Sequence, residues 1–95
     1  MKPQMNITYD PGKAAANLMK HGVTFDEAAT TFFDTNAITD VDEAHSSPGD
    51  ERFTNLGLST SLRLLFVVHN EEDGIVHIIS ARPATSAERT LYEEA

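Results

Sequence analysis

The sequence predicts an α+β fold: an antiparallel β-sheet with two N-terminal helices and one C-terminal helix. Three observations carry this. Apolar residues recur at helical spacing up to Phe33 and then switch to a period of two from Ala37 onward. Two Thr-x-x-Glu capping boxes, Thr24 with Glu27 and Thr85 with Glu88, mark helix starts near either end of the chain. Between two strongly apolar runs stands Asp73–Gly74, the dipeptide of a tight hairpin.

Taken in order, Met5 to Tyr9 alternates and reads as an edge strand. Asp10 then supplies an N-cap and Pro11 the first helical position, opening a helix from Gly12 to about His21 that Gly22 ends in the left-handed C′ position. Thr24 caps a second helix, Phe25 to Phe33, with Val23 and Ala28 spaced as a hydrophobic staple. Its Phe25, Ala28, Ala29, Phe32 and Phe33 form the expected core stripe. A weak strand, Ala37 to Val41, leads into an acidic loop expected to be mobile, Asp42 to Asp50. Three strands follow as a meander: Arg52 to Leu58, Leu62 to Asn70, and Ile75 to Arg82. The middle one is almost wholly apolar and suits a central position. The last helix runs to about Glu94, and the helices are expected on one face of the sheet.

At 95 residues, the chain is expected to form a single domain, residues 1–95, with a thin core. With no cysteine, disulfides, thiolate metal sites and thiol nucleophiles are excluded. Met1 to Thr8 lacks the apolar centre of a signal peptide, and no apolar run approaches the ~18 residues of a membrane span, so a soluble cytoplasmic protein is expected. The four histidines are not at the i, i+4 or short-loop spacings of a zinc site, so no metal or other cofactor is expected. His77 reads as a packed sheet residue. A net charge of -8 argues against a nucleic-acid protein, because backbone binding rests on Lys and Arg neutralising phosphates, although where the few cations sit matters more than the sum.

The few cations fall suggestively. A two- or four-residue loop around Glu72 to Gly74 puts Arg63 and Arg82 on one face of the sheet, whereas a three-residue loop separates them. Counting across Ser59 to Leu62 sets Arg52 opposite His69 and brings it to the same face. Facing guanidiniums repel unless an anion sits among them, and phosphate is the obvious one. The plainer alternative is that each arginine pairs with a carboxylate, Arg52 beside Glu51 for instance, as surface ion pairs commonly do. Lys20–His21 likewise has a plain reading, complementing the negative end of the first helix.

Several segments together resemble the BrnT toxins of type II toxin–antitoxin systems. They are Asp10–Pro11, Lys13, Asn17 and Lys20–His21–Gly22–Val23; Phe25 with Glu27–Ala28–Ala29; His45–Ser46; Glu51–Arg52–Phe53; Gly57 with Ser59; Arg63–Leu64–Leu65; Val67–Val68; Ile79–Ser80–Ala81–Arg82; and Ala84–Thr85, Glu88–Arg89 and Tyr92. The resemblance implies a RelE-like α+β fold and a ribonuclease that uses no metal. It also implies neutralisation by a ribbon-helix-helix, BrnA-like antitoxin, through which operator DNA would be met only indirectly, in an oligomer with the antitoxin. By position, the family's functional set falls on Lys20, His21, Glu51, Arg52, Arg63 and Arg82. Such a set suits attack of a ribose 2′-hydroxyl on the adjacent phosphorus, with His21 or Glu51 as base, Lys20 as cation or acid, and the arginines on the phosphate. Pro83, the apolar residues or histidine at Leu58, Ile75 and His77, and a last helix carrying Ser86, Ala87, Thr90 and Leu91 depart from the basic pattern of typical members. The alternative implied is a BrnT fold that no longer cuts RNA and serves as an antitoxin-binding module.

Overall fold

The computed structural model describes residues 6–95. Met5, counted in the first expected strand, lies outside them. Five strands form one sheet in the order β1-β5-β4-β3-β2, with β1 Asn6–Tyr9, β2 Ile38–Val41, β3 Arg52–Leu58, β4 Leu64–Glu72 and β5 Ile75–Pro83. Three helices accompany it, α1 Pro11–His21, α2 Phe25–Thr30 and α3 Ser86–Glu94. The α+β class and the helix count match expectation. The sheet is antiparallel from β2 to β5, but β1 joins β5 in parallel, so it is mixed. No helix among the described residues is long and apolar enough to cross a membrane.

Local chemistry explains the element ends. Asp10 accepts the Gly12 N–H at 2.8 Å and starts α1, and Gly22, at φ 69°, ends it by donating to the Leu18 carbonyl. Thr24 accepts the Glu27 N–H, but the Glu27 carboxylate turns away to other partners, so this capping box is half formed. The α2 helix ends earlier than its apolar spacing suggests. Thr30 and Thr31 donate to the carbonyls of Glu27 and Ala28, and the chain tightens into a 3-10 turn, Thr31–Phe33, leaving Phe33 64% exposed rather than in the core. The Thr85–Glu88 box, by contrast, is complete.

The α1 and α2 helices cover one face, where Leu65, Val67, Ile78 and Ala81 pack on Val23, Phe25 and Ala28. The α3 helix lies on the other face, correcting the expectation of one helical layer. It packs on β3, where Leu56 is buried beside Leu64 of β4, and buries no residue of its own. Its anchor is the Tyr92 hydroxyl, which donates to Asp34 at 2.6 Å. Burial pushes the Asp34 carboxyl up, but the Leu58 N–H, the Tyr92 hydroxyl and the Asn36 N–H outweigh that and leave it below the usual range. The same contact pushes Tyr92 up to about 12. The acidic loop is tied rather than free: Ser46 accepts the Arg52 N–H and donates to the Asp42 carbonyl, around a 3-10 turn at Glu43–His45.

Two register details place the arginines. Between β3 and β4, Arg52 pairs with Asn70 and Leu58 with Leu64, one step from the expected pairing. Ser59 N–H donates to the Arg63 carbonyl, and Leu62 takes a left-handed φ of 63°, lengthening the connection. The Asp73–Gly74 hairpin forms as expected, with both residues at positive φ and Glu72 opposite Ile75. A bulge at Val68/His69 then inserts one residue into β5. A one-residue slip reverses every later side chain, so Ile78 and Ala81 both face the helices and Arg82 is turned to the opposite face.

Candidate functional site

The expectation that Arg52, Arg63 and Arg82 share a face is therefore wrong. Arg63, at the foot of β4, reaches toward α1 and α2. Its Nε donates to Glu27 Oε2 at 2.9 Å, and its Nη2 to Glu27 Oε1 at 2.5 Å and to the Gly22 carbonyl at 3.1 Å. Ser59 donates to the same carboxylate at 2.7 Å. Arg63 holds the Glu27 carboxyl below the usual glutamate range, its hydrogen bond outweighing the burial that opposes it.

Arg82 emerges on the other face, over Phe66, its guanidinium carbon 4.3 Å from the ring centre. It donates from Nη1 and Nη2 to the two oxygens of Glu88 at 2.7 and 2.9 Å. Glu88 also closes the α3 capping box by accepting the Thr85 N–H at 2.8 Å. The Arg82 hydrogen bond lowers the Glu88 pKa. Arg52 shares the Arg82 face but is weakly engaged, 3.5 Å from Asp50, with its buried Nε unpartnered. Carboxylate pairing, the plainer alternative, thus describes all three arginines, through Asp50, Glu27 and Glu88 rather than Glu51.

Lys20 and His21 close α1, and two links fix where they stand. Asn17, buried on α1, donates through Nδ2 to the Ala81 carbonyl at 2.8 Å and accepts the Ala81 N–H at 3.1 Å. Gly22, just after His21, receives Arg63. The end of α1 is therefore held beside the end of β5 and the start of β4, where Arg82 and Arg63 emerge. Glu51 and Arg52 stand elsewhere. Arg52 faces Asn70, six residues up β4 from Leu64, or ~20 Å at strand spacing. One phosphate cannot touch both ends.

Two surface clefts of about 390 and 560 Å³ also lie at the far end. The first contains Thr8, Asn70, Glu72, Asp73 and His77, and the second Ser46, Ser47, Glu51 and Glu71. Their carboxylates repel a phosphate chain. His77, expected to be packed, is half-buried here and bonded through Nδ1 to the Thr8 hydroxyl at 3.1 Å. Among the described residues, no three His, Cys, Asp or Glu side chains converge to hold a metal ion. Sequence reasoning did not single out Glu27 and Glu88 as arginine partners, because both already had a role as capping residues.

A family model described as the ribonuclease toxin BrnT of type II toxin–antitoxin systems matches residues 9–88. The chain belongs to the BrnT family. The crystal structure of the Brucella abortus ribonuclease toxin BrnT superposes with a TM-score of 0.67 at 22% identity, over 87% of this chain and all of that one, which shows the shared fold. No curated protein sequence matches the chain. The BrnT match ends at Glu88, inside α3, and spans Lys20, His21, Glu51, Arg52, Arg63 and Arg82.

Proposed function

We propose that this chain is a metal-independent endoribonuclease toxin that cleaves RNA at the end of the sheet where α1, β4 and β5 meet. The observation that carries the reading is the double anchoring of α1, through Asn17 to Ala81 and through Gly22 to Arg63. It gathers Lys20, His21, Arg63 and Arg82 at one end. In the reaction, the 2′-hydroxyl oxygen attacks the adjacent phosphorus while its proton passes to a base. The bond from phosphorus to the 5′-oxygen breaks, an acid protonates that oxygen, and the products are a 2′,3′-cyclic phosphate and a 5′-hydroxyl. His21 serves as base and Lys20 as acid, and the guanidinium forks of Arg63 and Arg82, displaced from Glu27 and Glu88, hold the phosphoryl oxygens from the two faces at the end of the sheet. Glu51 is too distant to be the base. Arg52, on the Arg82 face, contacts a phosphate further along the same RNA. The partner that silences the toxin is a ribbon-helix-helix antitoxin.

A second reading, an antitoxin-binding module without nuclease activity, is favoured by one observation: Arg63 and Arg82 are both locked into two-pronged pairs with Glu27 and Glu88. A phosphate must displace a carboxylate to reach either. Expression without an antitoxin separates the readings. The nuclease arrests growth and degrades cellular RNA, and Arg82→Ala abolishes both while leaving the melting curve cooperative. Unimpaired growth with intact RNA overturns the nuclease reading in favour of the module.

A further inference from the structure

Asn17 is a buried polar residue in the middle of α1 that moves no proton and holds no phosphate in the reaction above, yet anchors the helix that carries Lys20 and His21. Its carboxamide occupies the place of a missing strand. The β1 strand ends with Tyr9 opposite Ile78, so beyond that point β5 has a bare edge on this side. Ala81 turns its N–H and carbonyl toward that edge, and Asn17 satisfies both, as a strand would. Its Nδ2 also donates to the Val23 carbonyl at 3.0 Å, tying in the turn that follows the helix. Lys20 and His21 follow Asn17 at i+3 and i+4, on the same face of the helix one turn further along. Arg82 follows Ala81 directly in the strand.

We propose that Asn17 is a positioning residue for the nuclease reaction, setting His21 and Lys20 on α1 against Arg82 on β5. The inference rests on the ribonuclease reading for its consequence, but its geometric claim stands apart from it. Without Asn17, the end of α1 is held to the sheet, among the described residues, by the Gly22–Arg63 bond and apolar packing, and the helix end shifts relative to the strand. Displacement on the order of an ångström lowers turnover on the order of a hundredfold while leaving substrate affinity largely intact.

The test uses Asn17→Ala, and Asn17→Asp as a second variant that keeps the acceptor for the Ala81 N–H should Asn17→Ala fail to fold. On a defined RNA, each variant is expected to lose kcat with little change in KM. The loss caused by Asn17→Ala is expected to be smaller in a His21→Ala background than in the unmodified chain, because Asn17 acts through His21 and Lys20. Independent losses that multiply, or a loss confined to KM, overturn the proposal. A readout without turnover covers the case in which the RNA is not cut. In NMR spectra, the His21 ring signals move and the Ala81 amide exchanges faster, while the Leu65 and Val67 amides remain protected. Unchanged His21 and Ala81 signals overturn the positioning claim whatever the activity. Shifted signals with no cleavage by the unmodified chain uphold it and defeat only the ribonuclease reading.

Discussion

Glu88→Gln is the perturbation that most cleanly separates the stability of the fold from the availability of its cations. Glu88 accepts both prongs of Arg82 and the Thr85 N–H. Its side chain is 20% exposed and that of Arg82 34%, so the pair is partly screened and contributes up to ~1 kcal/mol. Weakening its half of the capping box adds ~0.5–1 kcal/mol. The total, about 0.5–2 kcal/mol, lowers the thermal midpoint by on the order of 2–15 °C in a domain of this size. Releasing Arg82 from its carboxylate has the opposite effect on phosphate binding. About 1 kcal/mol no longer spent on displacing Glu88 corresponds to roughly fivefold tighter RNA. Circular dichroism reads the first quantity, and fluorescence anisotropy with a labelled RNA at low salt reads the second. Thr85→Val is the control, since it loosens the start of α3 and leaves the ion pair in place; it is expected to lower the midpoint without tightening RNA. A Glu88→Gln variant that binds RNA no better than that control refutes Arg82 as the phosphate holder.

Other perturbations address the scaffold. Gly57→Ala is expected to cost ~1–3 kcal/mol in urea denaturation, because a Cβ there meets the Thr31 carbonyl oxygen at 3.0 Å and the Ala37 Cβ at 3.2 Å; an unchanged midpoint contradicts that packing. Leu62→Gly is expected to stabilise by ~1 kcal/mol, since Leu62 is exposed and left-handed, and a lower midpoint would mean that its side chain contributes packing. His69 is buried between Phe32 and Phe53 with neither ring nitrogen bonded, and burial lowers its pKa. The unfolded chain therefore takes up that proton near pH ~6.5, before the folded one does. Stability is full above that pH and falls as the pH drops below it. His69→Leu removes this slope, and a His69→Leu variant that keeps it assigns the effect to another group. Below about pH 4.5, protonation of Glu27, Glu88 and Asp34, all with lowered pKa values, takes away a second increment.

Most of the architecture is legible in the sequence because it is written in local chemistry. Asp10–Pro11, Gly22, Thr24 and Thr85 mark the helix ends they were expected to mark, and Asp73–Gly74 makes the hairpin. The arginine faces were not legible, because two long-range register choices decide them. Leu62 occupies a left-handed position where glycine or asparagine is the usual sign, so the extra turn residue is silent. The bulge in β5 also carries no glycine. Its one trace is that Ile78 and Ala81, both facing the helices, are three residues apart in a strand of period two. Reading that spacing would have turned Arg82 to the correct face. The family signature, by contrast, is spread along the chain and does not depend on register. It therefore put Lys20, His21, Glu51, Arg52, Arg63 and Arg82 forward as one set, without saying that Glu51 and Arg52 stand at the other end of the sheet.

In the proposed reaction, RNA is cut without a metal at the end of the sheet where α1, β4 and β5 meet. The most direct measurement incubates the purified chain, free of antitoxin, with a defined RNA in excess EDTA and determines the chemistry of the new ends. Cleavage is expected to yield 2′,3′-cyclic phosphate and 5′-hydroxyl ends, to be lost in His21→Ala and Arg82→Ala, and to be retained in Glu51→Gln. Cleavage that stops in EDTA, or that survives both substitutions and disappears in Glu51→Gln, contradicts that reaction.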